Sequence, residues 1–356
     1  MKRTTNLNVR SMTPIIAPED LKQVFPLSEH AAEFVTRSRQ RVKDIIHHRD
    51  PRLMVVVGPC SIHDPQAAID YGQRLAKLNE ELADQLLLVM RVYFEKPRTT
   101  IGWKGLINDP DLNGSHQISK GLGVARNLLC AITALDLPIA CEMLDPITVQ
   151  YLSDMISWGA IGARTTESQP HREMASGLSF PVGFKNGTDG SLQIAVDAIN
   201  AATHEHNFLG IDREGRTAIV ETTGNPDGHM VLRGGGGKPN YDAECIAQAE
   251  ELLVKAGLQP SIMVDCSHAN SYKDHDRQEE VLGSVIGQLA QGNRSISSVM
   301  IESNIGAGNQ PLCDDIRQLQ YGVSVTDKCI DWPTTERLLR HAHSCLKKQG
   351  GRTIHK

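Results

Sequence analysis

From Leu53 onward the chain alternates between short, almost wholly apolar runs and longer segments with helical period. The runs fall at Leu53–Val57, Leu86–Val92, Pro138–Cys141, Gly159–Ala163, Pro181–Phe184, Met230–Leu232, Ile262–Val264 and Ser298–Ile301. Several lack the apolar–polar alternation of a half-exposed strand, so they read as parallel strands covered on both faces. Between them, Ala68, Tyr71, Leu75, Leu78 and Leu82 recur at steps of three and four, as do Leu122, Ala125, Leu129 and Ile132. This spacing predicts amphipathic helices. Asp64-Pro65 and Asp145-Pro146 each set a capping acid before a proline suited to the first helical position, and predict helix starts.

Strands alternating with helices across roughly 300 residues give an α/β chain and favour a (β/α)₈ TIM barrel. Periodicity does not show closure, and a doubly wound open sheet is the competing arrangement. Residues 1–50 read differently, with Pro14, Pro18 and Pro26 before a charged helical stretch at Ala31–His47. They form an N-terminal extension ahead of a barrel at 51–350. Phe208–Ile211 and Thr217–Val220 flank the turn Asp212-Arg213-Glu214-Gly215. That pattern predicts a β-hairpin inserted at about 208–223. Gly234–Gly237 precedes Lys238 without the Gly-Lys-Ser/Thr ending of a phosphate-binding loop, and reads as a flexible connection.

Composition narrows the class. With 37 Lys and Arg against 42 Asp and Glu the formal charge is -5, so no global attraction to nucleic acid or membrane is expected. Neither a signal peptide nor an apolar spanning segment is seen. The cysteines (Cys60, Cys130, Cys141, Cys245, Cys266, Cys313, Cys329 and Cys345) form no C-x-x-C pair. Scattered thiols in a chain this long fit a reducing cytoplasm better than a disulfide framework.

The chemistry gathers where the apolar runs end. Arg91, Lys96, Arg98, Arg164, Lys185 and Arg233 all follow strands closely, and in a barrel those ends converge on one mouth. One such cation is more often a snorkelling surface residue. Six of them in a net-acidic chain point instead to a site for anions such as phosphates and carboxylates. Cys60, His268, Glu302 and Asp327 form a second, mixed set of thiol, imidazole and carboxylates. Such ligands suit Mn, Fe, Co, Cu or Zn, although their spacing matches no recognised metal motif. Lys185 also leaves open a Schiff-base aldolase.

The segments G-P-C-S-I-H-D (58–64), R-V-Y-F-E-K-P-R-T-T-I-G-W-K-G (91–105), G-A-R-T-T-E-S-Q (162–169), P-V-G-F-K-N-G-T-D-G (181–190) and D-C-S-H-A-N (265–270) resemble the type I 3-deoxy-D-arabino-heptulosonate 7-phosphate (DAHP) synthases. The likeness runs from about residue 15 to about residue 345. It implies a (β/α)₈ barrel with an extension and a hairpin. It also implies a condensation of phosphoenolpyruvate with erythrose 4-phosphate that opens the shikimate pathway, with one divalent metal ion (Mn, Fe, Co or similar).

By the same resemblance Cys60, His268, Glu302 and Asp327 hold the metal. Arg91, Lys96, Glu142, Ala163, Arg164, Lys185 and Arg233 serve phosphoenolpyruvate, and Arg98 and Thr99 the acceptor. Lys96, Glu142, Lys185, Cys60 and His268 are thus expected at the chemistry. An aromatic amino-acid effector is expected at Ser179, Phe208, Gly210 and Val220, with tyrosine favoured. Phenylalanine-responsive relatives tend to carry serine where Gly210 stands, and glycine leaves room for a phenol hydroxyl. Alternatively, Gly210 simply eases entry to the hairpin. A homodimer or homotetramer is expected. The rival readings are a 3-deoxy-octulosonate 8-phosphate synthase, which the K-P-R-T-T run at 96–100 argues against, and a catalytically silent ligand-sensing barrel.

Overall fold

The computed structural model describes residues 4–313 and 315–354. Its strands are β1 (Leu53–Gly58), β2 (Leu86–Arg91), β3 (Ile139–Glu142), β4 (Trp158–Ile161), β5 (Val182–Lys185), β6 (Asn207–Ile211), β7 (Thr217–Glu221), β8 (Gly228–Leu232), β9 (Ile262–Asp265) and β10 (Ile296–Glu302). Eight of them close a barrel in the order β1-β10-β9-β8-β5-β4-β3-β2. Every neighbouring pair runs parallel. Closure rests on β1 meeting β10, with Val55 opposite Val299 and Gly58 opposite Glu302. The open-sheet alternative is therefore excluded.

Burial explains why the runs are apolar throughout. Met54 and Val56 of β1 point into the barrel with Leu87, Val89, Ala140, Trp158, Val231, Met263 and Met300. Leu53, Val55 and Val57 point outward onto the helical layer with Tyr71, Leu75 and Leu129. Alternate side chains enter two different cores, so neither face of the strand can be polar.

The helices are α1 (Pro18–Val24), α2 (Glu29–Ile46), α3 (Pro65–Leu82), α4 (Ile118–Thr133), α5 (Thr148–Leu152), α6 (Gln169–Ser176), α7 (Gln193–Ala202), α8 (Ala243–Lys255), α9 (Gln278–Ala290) and α10 (Trp332–Gln349). Asp64 caps α3 as predicted, accepting from the Gln66 and Ala67 amides. The Asp145-Pro146 start is corrected. The Asp145 carboxylate accepts from the Ile147 amide at 2.7 Å and its carbonyl from Thr148 Oγ1 at 2.9 Å, closing a turn, and α5 begins later at Thr148. Helix α2 seals the barrel floor with Val42, Ile45 and Ile46, which join the interior cluster. Each such side chain contributes roughly 1.5–3 kcal/mol of burial. The hairpin is as predicted, β6 against β7 with Phe208 opposite Val220. Among the described residues no helix is long and apolar enough to cross a membrane.

Candidate active site

The loop after β1 turns at Gly58, whose φ is +153° and where a Cβ would lie 2.8 Å from the Arg91 carbonyl oxygen. A side chain there would collide with β2, so glycine lets the two backbones meet. Cys60 follows, fully buried. Its thiol, a Glu302 oxygen at the end of β10 and an Asp327 oxygen from the loop beyond all lie within 4.8 Å of one another. His268 stands beside this group, with Nε2 3.9 Å from Glu302 Oε1. Three of the four expected metal ligands are thus clustered, and the fourth borders them.

Lys96 reaches the same cluster, with Nζ 2.8 Å from Cys60 Sγ and 2.7 Å from Asp327 Oδ2. Burial and the Glu302 charge push the Cys60 thiol up to about 11 against the pull of Lys96. Burial acts to lower Lys96, yet Cys60, Asp327 and Glu302 hold it well above an ordinary lysine. Burial also disfavours the charged Asp327 carboxylate, but Lys96 outweighs it and keeps that carboxyl far below the usual range. A thiol with two carboxylates offers one hard–soft donor set with surplus negative charge, so these residues fit a divalent transition-metal ion.

Arg91, expected at the phosphoenolpyruvate site, is held from several sides. It is 2% exposed, and Nη2 donates to Glu302 Oε1 at 2.9 Å and to the Cys60 carbonyl at 3.2 Å. Nε donates to the Pro59 carbonyl, and the guanidinium lies 3.7 Å above the Tyr93 ring centre. Arg91 therefore braces Glu302 from beneath. Tyr93 lies only two residues further along the chain, but Glu302 is brought to Arg91 by barrel closure, and the sequence carries no sign of that contact.

Above the cluster opens a cavity of about 810 Å³ walled in part by Thr99, Arg164, Arg233, His268, Glu302 and Asp327. Arg164 Nε lies 3.2 Å from Thr99 Oγ1. Burial lowers the Arg233 guanidinium, with the nearby Asp265 charge opposing. Arg98 is exposed and its Nε donates to the Trp103 carbonyl, so here it is turned onto its own loop. Ala163 sits in the turn after β4, and Glu142, the last residue of β3, packs against Gly162. The Gly234–Gly237 loop also contributes Gly236 and Gly237 to the wall.

Lys185, the last residue of β5, donates to Asp265 Oδ2 at 2.8 Å. Asp265 was passed over in the sequence. The signal was its place three residues before His268, an acid at a strand end within reach of an imidazole. His268 itself has φ +60°, and Tyr272 and Lys273 nearby are also left-handed. Non-glycine residues in that region mark backbone held against its preference, as functional loops often are.

A model of the DAHP synthetase I family matches residues 25–340. The chain belongs to this family. The Tyr-sensitive phospho-2-dehydro-3-deoxyheptonate aldolase of Escherichia coli is 55% identical over 344 residues, covering 97% of this chain and 96% of the relative. The Phe-sensitive enzyme of the same organism is 52% identical over 346 residues, covering 97% and 98%. A solved phospho-2-dehydro-3-deoxyheptonate aldolase from Francisella tularensis superposes with a TM-score of 0.93 at 50% identity, covering 96% of this chain and 99% of that one. A Thermotoga maritima DAHP synthase structure, TM-score 0.55 at 16% identity, shares the fold.

A second recess, about 250 Å³, lies under the hairpin and is lined by Phe208, Gly210 and Val220 together with Ile147, Gln150 and Leu178 among others. Ser179 is exposed beside Leu178 and is not part of the lining. Gly210 lacks a left-handed φ, and a Cβ there would lie 2.8 Å from Val220 Cγ2. This glycine supplies space in the groove, which replaces the idea that it eases the hairpin backbone.

Proposed function

We propose that the protein is a 3-deoxy-7-phosphoheptulonate synthase, joining phosphoenolpyruvate, erythrose 4-phosphate and water into DAHP and phosphate. The observation that carries this reading is Lys96 seated between Cys60 and Asp327, at the foot of a cavity walled by Arg164, Arg233 and Thr99. Cys60, Glu302, Asp327 and His268 would hold the divalent ion, which supplies Lewis-acid polarisation of the acceptor aldehyde. Arg164, Lys185 and Arg233, beside Ala163, bind the phosphate and carboxylate of phosphoenolpyruvate. Arg98 and Thr99 receive the acceptor's phosphate. Fixed cations offset the repulsion between two anions and orient them for attack.

The enol C3 attacks the aldehyde carbon, and Lys96 delivers a proton to the new alkoxide. Glu142 orients the water that adds at C2, and the C2–O bond to phosphate then breaks. Lys185 is no Schiff-base nucleophile in this scheme, because an ammonium donating to buried Asp265 has no free lone pair.

Tyrosine binds in the groove of Phe208, Gly210 and Val220 and inhibits. Residues 1–50 serve regulation and assembly into a homodimer or homotetramer, and the enzyme works in the cytoplasm. The test is DAHP formation with and without a chelator and with each aromatic amino acid. Activity lost to chelator, restored by Mn²⁺ and inhibited selectively by tyrosine supports every step. Chelator-resistant turnover overturns the metal mechanism, equal use of arabinose 5-phosphate overturns the acceptor assignment, and equal inhibition by phenylalanine overturns the effector.

A further inference from the structure

The bonds around His268 can be followed proton by proton. Ser267 Oγ donates to Asp265 Oδ1 at 2.9 Å, and the Ser267 amide donates to the same oxygen at 3.0 Å. With its hydroxyl proton committed, Ser267 Oγ accepts from His268 Nδ1 at 2.6 Å. Asp265 Oδ2 lies 2.9 Å from that same ring nitrogen. Nδ1 therefore carries the hydrogen, and Nε2 presents a lone pair on the side of Glu302. Asp265 Oδ2 is also the acceptor for Lys185 Nζ at 2.8 Å. The carboxylate is wholly buried, so no water competes for it.

We infer that Asp265 is a positioning residue whose single Oδ2 atom sets both the imidazole facing the metal cluster and the lysine that receives phosphoenolpyruvate. The inference rests on the proposed synthase reading, which assigns His268 and Lys185 those two partners. A metal-ligating imidazole needs its other nitrogen held by an acceptor, and loss of that acceptor typically weakens metal binding 10- to 100-fold. Here the same acceptor serves a second cation, so the metal site and the anion site share one anchor. An amide cannot replace it. If its oxygen keeps Ser267, its NH₂ group faces two donors, Lys185 and His268. If it is turned the other way, Ser267 loses its acceptor.

The test titrates the metal-free full-length protein with Co²⁺, reading the thiolate charge-transfer and d–d absorption bands, and separately measures phosphoenolpyruvate binding by calorimetry. Asp265→Asn is expected to weaken Co²⁺ binding about 10- to 100-fold, to shift the d–d bands and to weaken phosphoenolpyruvate binding as well. Lys185→Met is expected to lose phosphoenolpyruvate binding while keeping Co²⁺ affinity at or above the wild-type level. Wild-type Co²⁺ affinity and spectrum in Asp265→Asn overturn the inference. So does a Co²⁺ defect in Lys185→Met as large as that of Asp265→Asn, which would mark general loosening. If Asp265→Asn does not fold, Asp265→Glu, which moves the carboxylate by one methylene, decides: a several-fold weaker Co²⁺ complex with shifted bands supports the anchor, and an unchanged one overturns it. A wild-type protein that forms no DAHP and shows no thiolate band with Co²⁺ instead overturns the synthase reading itself.

Discussion

The mouth of the barrel gathers a thiol, an imidazole, carboxylates and cations from the ends of strands far apart in sequence, whereas the groove under the hairpin is walled mostly by apolar side chains with Gln150 among them. In the proposed reading the mouth discriminates by charge and the groove by volume. Charge needs particular residue types, and a buried Lys or Arg stands out in an apolar run. Volume can be set by many combinations of Ile, Leu, Met and Val, and the proposed tuning position, Gly210, is a glycine. The two regions are nevertheless physically joined. Glu95, adjacent to Lys96, accepts from Thr148 Oγ1 at 3.1 Å, and Thr148 lies between Ile147 and Val149 of the groove wall.

The largest expected effect falls on the mouth. Lys96→Met removes the proposed proton donor and leaves Cys60 and Asp327 without their shared cation. It should lower kcat by about 10²- to 10⁴-fold, the usual worth of a placed acid, with inhibition by tyrosine intact. Steady-state rates under saturating substrates check this. Near wild-type turnover would mean that charge at the mouth only assists binding, and the contrast between the two regions would lose its chemical half.

A smaller effect is expected in the groove, from Gly210→Ser. The added Cβ meets Val220 Cγ2 at 2.8 Å, so Val220 must shift and the space for a phenol ring shrinks. Inhibition by tyrosine should weaken about tenfold, about 1.4 kcal/mol, with kcat unchanged in the absence of effector. Dose–response curves for tyrosine and phenylalanine, before and after the substitution, measure it. An unchanged curve would show that volume at this position does not select the effector.

These two cases also show how much was legible in the sequence. The strands were visible because each is buried on both faces, as Met54 and Val55 are, so their composition is uniform. Barrel closure was not, since nothing near Val55 announces Val299 as its partner. The strand-end cations were visible by type, but their partners were not. Nothing in the sequence announces the bond from Arg91 to Glu302, and Asp265, visible only as the first residue of D-C-S-H-A-N, shows no sign there of its contacts with His268 and Lys185. The missed helix start at Asp145 has a local cause. The cap acid and proline were present, but the chain used them for a turn that carries Thr148 to Glu95. The groove was found through Phe208, Gly210 and Val220 by resemblance alone, because apolar residues at a surface recess carry no chemical signature.

The smallest expected effect on turnover and inhibition concerns the link between the regions, where the change falls on stability. Burial, reinforced by the Asp145 charge, pushes the Glu95 carboxyl up to about 8 despite the bond from Thr148. In the unfolded chain a glutamate titrates at about 4.3. Between those values the unfolded state gives up a proton that the folded state keeps, so stability falls as pH rises through this window and the loss is complete above it. Below the unfolded value both states are protonated and there is no penalty. Glu95→Gln keeps a partner for Thr148 and removes the titration, so its melting temperature relative to wild type should climb between pH 5.5 and 8.5. The gain should be roughly 3 kcal/mol, several degrees in a protein of this size. A difference that stays flat across that range would mean that Glu95 titrates normally, and that the strut between mouth and groove is an ionised, solvated one.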